Sequence, residues 1–231
     1  MLTARKNSAR RTRLAAFAFP CALASALLLA PAVTASAAPV FWTDWQSKDT
    51  NLVNGQLAID GATIAVTFAG PYNFAQTAGG TNYWNPSAPY ISGVVDNAPP
   101  ASDIIALSLG GSKSIVFSQP VRDPLIALVS WNGNTVDFGV PIEILSFGPG
   151  FWGNGTPILN QAGTGFFGSG EVHGVIRLPG VFTSVTFTDT SEGWHGLTVG
   201  AVGLPQDDIP EPASVLLFGL GVLGLASRRR R

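Results

Sequence analysis

Charge and sulfur are scarce in this chain. Asp, Glu, Lys and Arg make up 12% of its 231 residues, and there are one cysteine, one methionine and two histidines. The cysteine, Cys21, lies inside an apolar N-terminal run. A single thiol excludes an internal disulfide and leaves no set of thiolates to bind zinc. No long segment places apolar residues at helical spacing, so there is no helix to build a bundle or an α/β layer. The sequence contains no GxSxG, HExxH or GxxxxGK[ST], which removes the usual signatures of serine hydrolases, zinc proteases and P-loop enzymes. His173 and His195 stand at no motif spacing from a carboxylate. A base or metal pair therefore competes with the plainer reading of two ordinary strand or edge histidines.

The charge that does occur is gathered at the ends. Arg5, Lys6, Arg10, Arg11 and Arg13 precede the apolar stretch Leu14 to Ala30 and then PAVTASAAP. A basic region, an apolar region and small residues in this order are a secretory signal peptide. Cleavage by signal peptidase is expected after Ala35-Ser36-Ala37, so residues 1–37 are removed and Cys21 goes with them. At the other end Pro210-Glu211-Pro212 precedes an uncharged run, Ala213 to Ala226, followed by Arg228, Arg229, Arg230 and Arg231. As a helix this run is about 21 Å long, against a hydrocarbon core of about 30 Å. A core helix competes with a short transmembrane helix. The abutting arginines favour the membrane, with the tail in the cytoplasm and the domain outside.

The tripeptide, the glycine-bearing apolar run and the terminal arginine block resemble the PEP-CTERM sorting signal of Gram-negative bacteria. The resemblance covers only residues 209–231. It implies that Pro210, Glu211 and Pro212 are read by an exosortase, a membrane-embedded processing enzyme, with Arg228 to Arg231 closing the signal. It further implies anchoring in the inner membrane before processing, then residence in the cell envelope or the extracellular polysaccharide (biofilm) matrix.

Residues 38–208 remain as the working chain, a length that suits one domain. Here the charge balance is no longer neutral. Lys48, Lys113, Arg122 and Arg177 face thirteen acids, a net charge of −9. An acidic body argues against nucleic acid or anionic lipid as a partner and favours cations.

Short alternating runs dominate this body: Ala62–Phe68, Lys113–Ser118, Leu125–Trp131, Thr135–Phe138, Ile142–Phe147, Val172–Leu178, Phe182–Phe187 and Trp194–Val202. Each is rich in β-branched or aromatic residues and bounded by turn formers. The spacing predicts an all-β fold, a single β-sandwich of jelly-roll-like type. Gly110-Gly111 and Asn132-Gly133-Asn134 are expected to close hairpins. Two long segments, 70–100 and 148–170, have little strand pattern and many aromatics. Loops this long tend to be functional.

Those loops carry the candidate binding residues. Tyr83, Trp84 and Trp152 sit beside asparagines, and exposed rings next to amides are how proteins hold sugars. Rings folded back as loop anchors are the plainer reading. Trp42, Trp45 and Trp194 read as core. Asp189 and Glu192, in the turn Asp189-Thr190-Ser191-Glu192-Gly193, are candidate oxygen ligands of a structural calcium, against plain turn chemistry. Otherwise no cofactor is expected. The leading functional expectation is a non-catalytic structural or adhesive envelope protein. A carbohydrate-binding module comes second, and a secreted hydrolase with carboxylates from separate loops comes third.

Overall fold

A computed structural model describes residue 37 and residues 39–205. The signal peptide over 1–37, apart from Ala37, lies outside the described residues. So do the sorting residues Pro210, Glu211 and Pro212, the expected transmembrane segment 213–226 and the Arg228–Arg231 tail. Among the described residues no helix is long and apolar enough to cross a membrane.

The described chain is all-β, as the alternation predicts. In order, its strands are β1 (Phe41–Trp42), β2 (Asp44–Asp49), β3 (Leu52–Ile59), β4 (Ala62–Ala69), β5 (Phe74–Gln76), β6 (Ile104–Leu107) and β7 (Gly111–Trp131). They continue with β8 (Thr135–Asp137), β9 (Glu143–Phe147), β10 (Gly155–Leu159), β11 (Gly165–Gly170), β12 (Val172–Arg177), β13 (Val181–Asp189) and β14 (His195–Gly203). A single 3-10 turn, Ala88–Tyr90, interrupts the long first loop.

All fourteen strands belong to one antiparallel sheet with β7 at its centre. The first half of β7 pairs with β4 and β13, and its second half with β12 and β14. Between the halves Asp123 takes φ 47°, and its side chain accepts the Gly180 N–H at 2.7 Å. The sheet folds over a core shared by both halves. Phe68, Ile115 and Phe187 come from one, and Ile126, Leu128 and Val199 from the other.

The second half has apolar residues on both faces. Its β6 reads Ile-Ile-Ala-Leu, all buried. Alternate side chains point away from the main core into a second cluster with Trp42, Trp84, Tyr90 and Val95. The long segment 70–100 therefore covers a sheet face. Asn97 fastens it there, accepting the Val40 N–H at 2.7 Å and donating to the Val40 carbonyl at 2.8 Å.

Three local expectations fail. Gly110-Gly111 closes no hairpin, because β14 lies between β6 and β7 and pairs with both. Asn132-Gly133-Asn134 likewise leads to a strand that pairs with β11 and β13 and not with β7. A strand that is apolar on both faces takes the central place, whatever turn residues flank its neighbours. The segment 148–170 is also no simple loop, since β10 and β11 form a hairpin within it. Its pattern was hidden by glycines and by Pro157, which is tolerated because β10 pairs on one side only.

Candidate functional site

The site begins with an irregularity at the end of β7. Val172 pairs with Trp131 and Gly174 with Leu128, so β7 carries one residue more than β12. This is a β-bulge. Within it Ser130 takes φ 57°, a left-handed conformation that costs a non-glycine residue about 1–2 kcal/mol. The bulge aims the Ser130 hydroxyl at Glu171, to which it donates a hydrogen bond. Glu171 sits between β11 and β12, and its N–H is held by the Asn154 carbonyl at 3.2 Å.

Asn132, two residues past the bulge, joins two carboxylates. Its Nδ2 donates to Glu171 Oε1 at 2.7 Å and its backbone N–H to Glu192 Oε1 at 3.1 Å. A chain of charges runs inward from Glu192. Glu192 Oε2 approaches His195 Nδ1 to 3.2 Å, a charge contact without the alignment of a hydrogen bond. His195 Nε2 lies 3.0 Å from Asp189 Oδ2, and Lys113 Nζ lies 2.5 Å from Asp189 Oδ1. The lysine also donates to the Leu109 carbonyl at 2.9 Å. Lys113, Asp189 and His195 are buried, so only Glu192 of this chain reaches the surface groove. Burial alone would lower the His195 pKa. Its two carboxylate neighbours outweigh burial and raise it above the ordinary value. The Trp131 ring, 4.4 Å away, covers the imidazole.

Aromatic rings line the same groove as the Glu171 and Glu192 carboxylates. Trp152 lies 4.5 Å from Trp194 and 5.4 Å from Tyr83, and Tyr83 lies 5.1 Å from Trp194. Phe151 packs against Tyr83 and Trp152. Together with Ser130, Asn132, Glu171, Glu192 and Gly193, the rings of Tyr83, Trp152 and Trp194 line an open groove of about 790 Å³. Trp152 is 47% exposed. The groove thus brings aromatic rings together with carboxylate, amide and hydroxyl groups.

The structure brings Tyr83 and Trp152 together and separates Trp84 from them. Trp84 is 2% exposed and packs edge-on against Tyr90 at 5.2 Å. It anchors the covering segment to the sheet, and its ring is unavailable for stacking. Trp194, expected in the core, is half-buried and belongs to the groove. Asp189 and Glu192 do belong to one cluster, in which Asp189 is already engaged by basic side chains. Lys113 and His195 already occupy the Asp189 oxygens, and His195 stands between the two carboxylates. Among the described residues no three His, Cys, Asp or Glu side chains gather as a metal site.

The histidines do not form a pair. His173 is buried against Gly150, where an added Cβ would come within 2.2 Å of the ring. Its Nδ1 lies 3.4 Å from the Tyr90 hydroxyl. Burial pulls its pKa down to about 4, against a weaker upward pull from Glu171. Ser130, Asn132, Glu171 and Lys113 were not singled out from the sequence. Only Lys113 left a signal there, a lysine in phase with Ile115 and Phe117 on an alternating strand.

Comparison with known families matches one part of the chain. Residues 208–231 fit the model of the PEP-CTERM protein-sorting motif. The match includes Pro210, Glu211, Pro212 and the terminal arginines. It implies an exported protein that is membrane-anchored before an exosortase processes it. No curated protein and no solved structure matches the chain significantly.

Proposed function

We propose that this is a non-catalytic adhesive protein that binds extracellular polysaccharide through the aromatic groove, displayed on a jelly-roll-like sandwich. In this reading signal peptidase removes residues 1–37, and segment 213–226 holds the chain in the inner membrane of a Gram-negative bacterium. An exosortase then delivers it to the envelope or biofilm matrix. The carrying observation is the exposed ring of Trp152, backed by Tyr83 and Trp194 and lining one groove with Asn132 and Glu171. Saccharide C–H faces stack on such rings while hydroxyls bond to the polar groups. The proposal needs no cofactor.

The deciding experiment is a glycan-array screen followed by affinity measurement on Trp152→Ala. Binding should weaken by about 1–2 kcal/mol, the scale of an aromatic contact and its buried area. Folding stability should stay near that of the parent, because an exposed ring leaves no cavity. No glycan ligand at all, or a variant that melts lower with binding intact, would sink the proposal.

A secreted hydrolase is the second reading, favoured by the presence of Glu171 and Glu192 in one groove. Against it, both carboxylates are bonded to the same residue, Asn132. Glycoside cleavage needs two carboxyl groups flanking the scissile bond, one of them able to give up a proton. Release of reducing ends from a bound polysaccharide, abolished in Glu171→Gln, would decide for the hydrolase.

A further inference from the structure

We propose that the groove selects a cationic saccharide, an amino sugar whose free ammonium pairs with Glu171 against the face of Trp152. This rests on the glycan reading above and names its ligand class.

Asp189 is paired with Lys113, Glu143 with Arg177, and Glu192 stands against His195. Glu171 lines the groove and receives hydrogen bonds only from neutral groups, the Ser130 hydroxyl and the Asn132 amide. Among the described residues no cation pairs with it. A carboxylate offers about four lone-pair sites, and two donors leave acceptor capacity for a ligand.

A ligand that stacks on Trp152 must displace water from this groove. A neutral sugar would leave an uncompensated charge in a drier environment, which is costly. An ammonium removes that cost. The rings act in the same direction, because aromatic faces attract cations. At longer range, the net charge of −9 over residues 38–208 draws in cationic polymers and repels uronate-rich ones. The unmatched carboxylate, the aromatic rings and the overall field favour the same sign of ligand charge. The strained backbone of Ser130 holds the first of them in place.

The test uses the full-length protein in a non-ionic detergent without a sugar headgroup, at mildly acidic pH where the amine is charged. Calorimetric titrations compare β-1,4-linked glucosamine oligomers with their N-acetylated counterparts. The free-amine oligomer should bind about tenfold tighter, the scale of one charge-assisted contact. That advantage should shrink as salt rises. Glu171→Gln should remove the advantage and bring the two oligomers to nearly equal affinity, whereas Trp152→Ala should weaken both. Should Glu171→Gln not fold, the salt series on the parent protein decides instead. Equal or tighter binding of the acetylated oligomer, or a preference that survives in Glu171→Gln or at high salt, overturns the inference and leaves the glycan reading intact. If neither oligomer nor any neutral glycan binds, or if only lysine-rich peptides do, both fall together.

Discussion

Lys113 offers the sharpest test of the buried charge chain. Its side chain and that of Asp189 are both fully buried, and their 2.5 Å contact joins the two halves of a strand pair. Replacing Lys113 with Met keeps most of the volume and removes the charge. Asp189 would then be held by His195 alone, and the Leu109 carbonyl would lose its donor. Breaking a buried pair from one side costs about 3–5 kcal/mol, because the remaining charge stays out of water. For a domain of this size each kcal/mol moves the melting temperature by roughly 2–4 °C, so a drop of about 6–20 °C is expected.

Urea unfolding and calorimetry of the parent and three variants would measure it. The control is Arg177→Met, which breaks the exposed contact with Glu143. It should cost no more than about 1 kcal/mol, as solvent-screened pairs do. The double variant Lys113→Met/Asp189→Leu removes both charges and should recover part of the loss. The reasoning is refuted if Lys113→Met behaves like the surface control, or if the double variant is worse than the single one by the full amount again. Either result would mean that the network contributes little beyond the packing of its stems.

Three further outcomes are expected. His195 has a folded pKa above its ordinary 6.5, so its contribution is complete below 6.5 and is lost as pH rises through the raised value. For His173, lowered to about 4, the contribution is complete above 6.5 and lost between 6.5 and about 4, on the order of 3 kcal/mol. Urea midpoints across pH should therefore peak near 6.5, with the acid side flattened in His173→Gln. Trp84→Ala should cost about 3–5 kcal/mol of stability with glycan affinity per folded molecule unchanged, the reverse of Trp152→Ala. A chelator should leave the melting temperature where it was, since Lys113 and His195 cover Asp189. A drop that added calcium restores would show that this assignment is wrong.

The strands with clean alternation could be read from sequence because their side chains report burial directly. Ile64, Val66 and Phe68 are all buried, with exposed or half-buried residues between them. β3 escaped because the inward position at its centre is Gly55, where β2 passes so close that a Cβ would lie 2.5 Å from the Asp44 carbonyl. Strand order was harder, because turn residues speak only for chain neighbours. The place of β14 between β6 and β7 depends on which strands can bury both faces, a property of the whole sheet.

The site divides along the same line. Tyr83 and Trp152 were found by composition, and nothing local separated Tyr83 from Trp84. In the turn that holds them, one ring goes to the groove and the other to the sheet. Glu171, Asn132 and Ser130 depend on a bulge created by the mismatch between β7 and β12, and a mismatch is invisible in either strand alone. The charge chain differs, because its phase was on the page. Lys113 alternates with Ile115 and Phe117, Asp189 with Val185 and Phe187, and His195 with Leu197 and Val199. A lysine in phase with a core face must meet an anion there, since an unpaired buried charge is too costly to keep. With only four cations in the body, each inward carboxylate has few partners to choose from. Periodicity therefore requires a buried anion beside Lys113, and the antiparallel pairing of β7 with β13 makes Asp189 that anion.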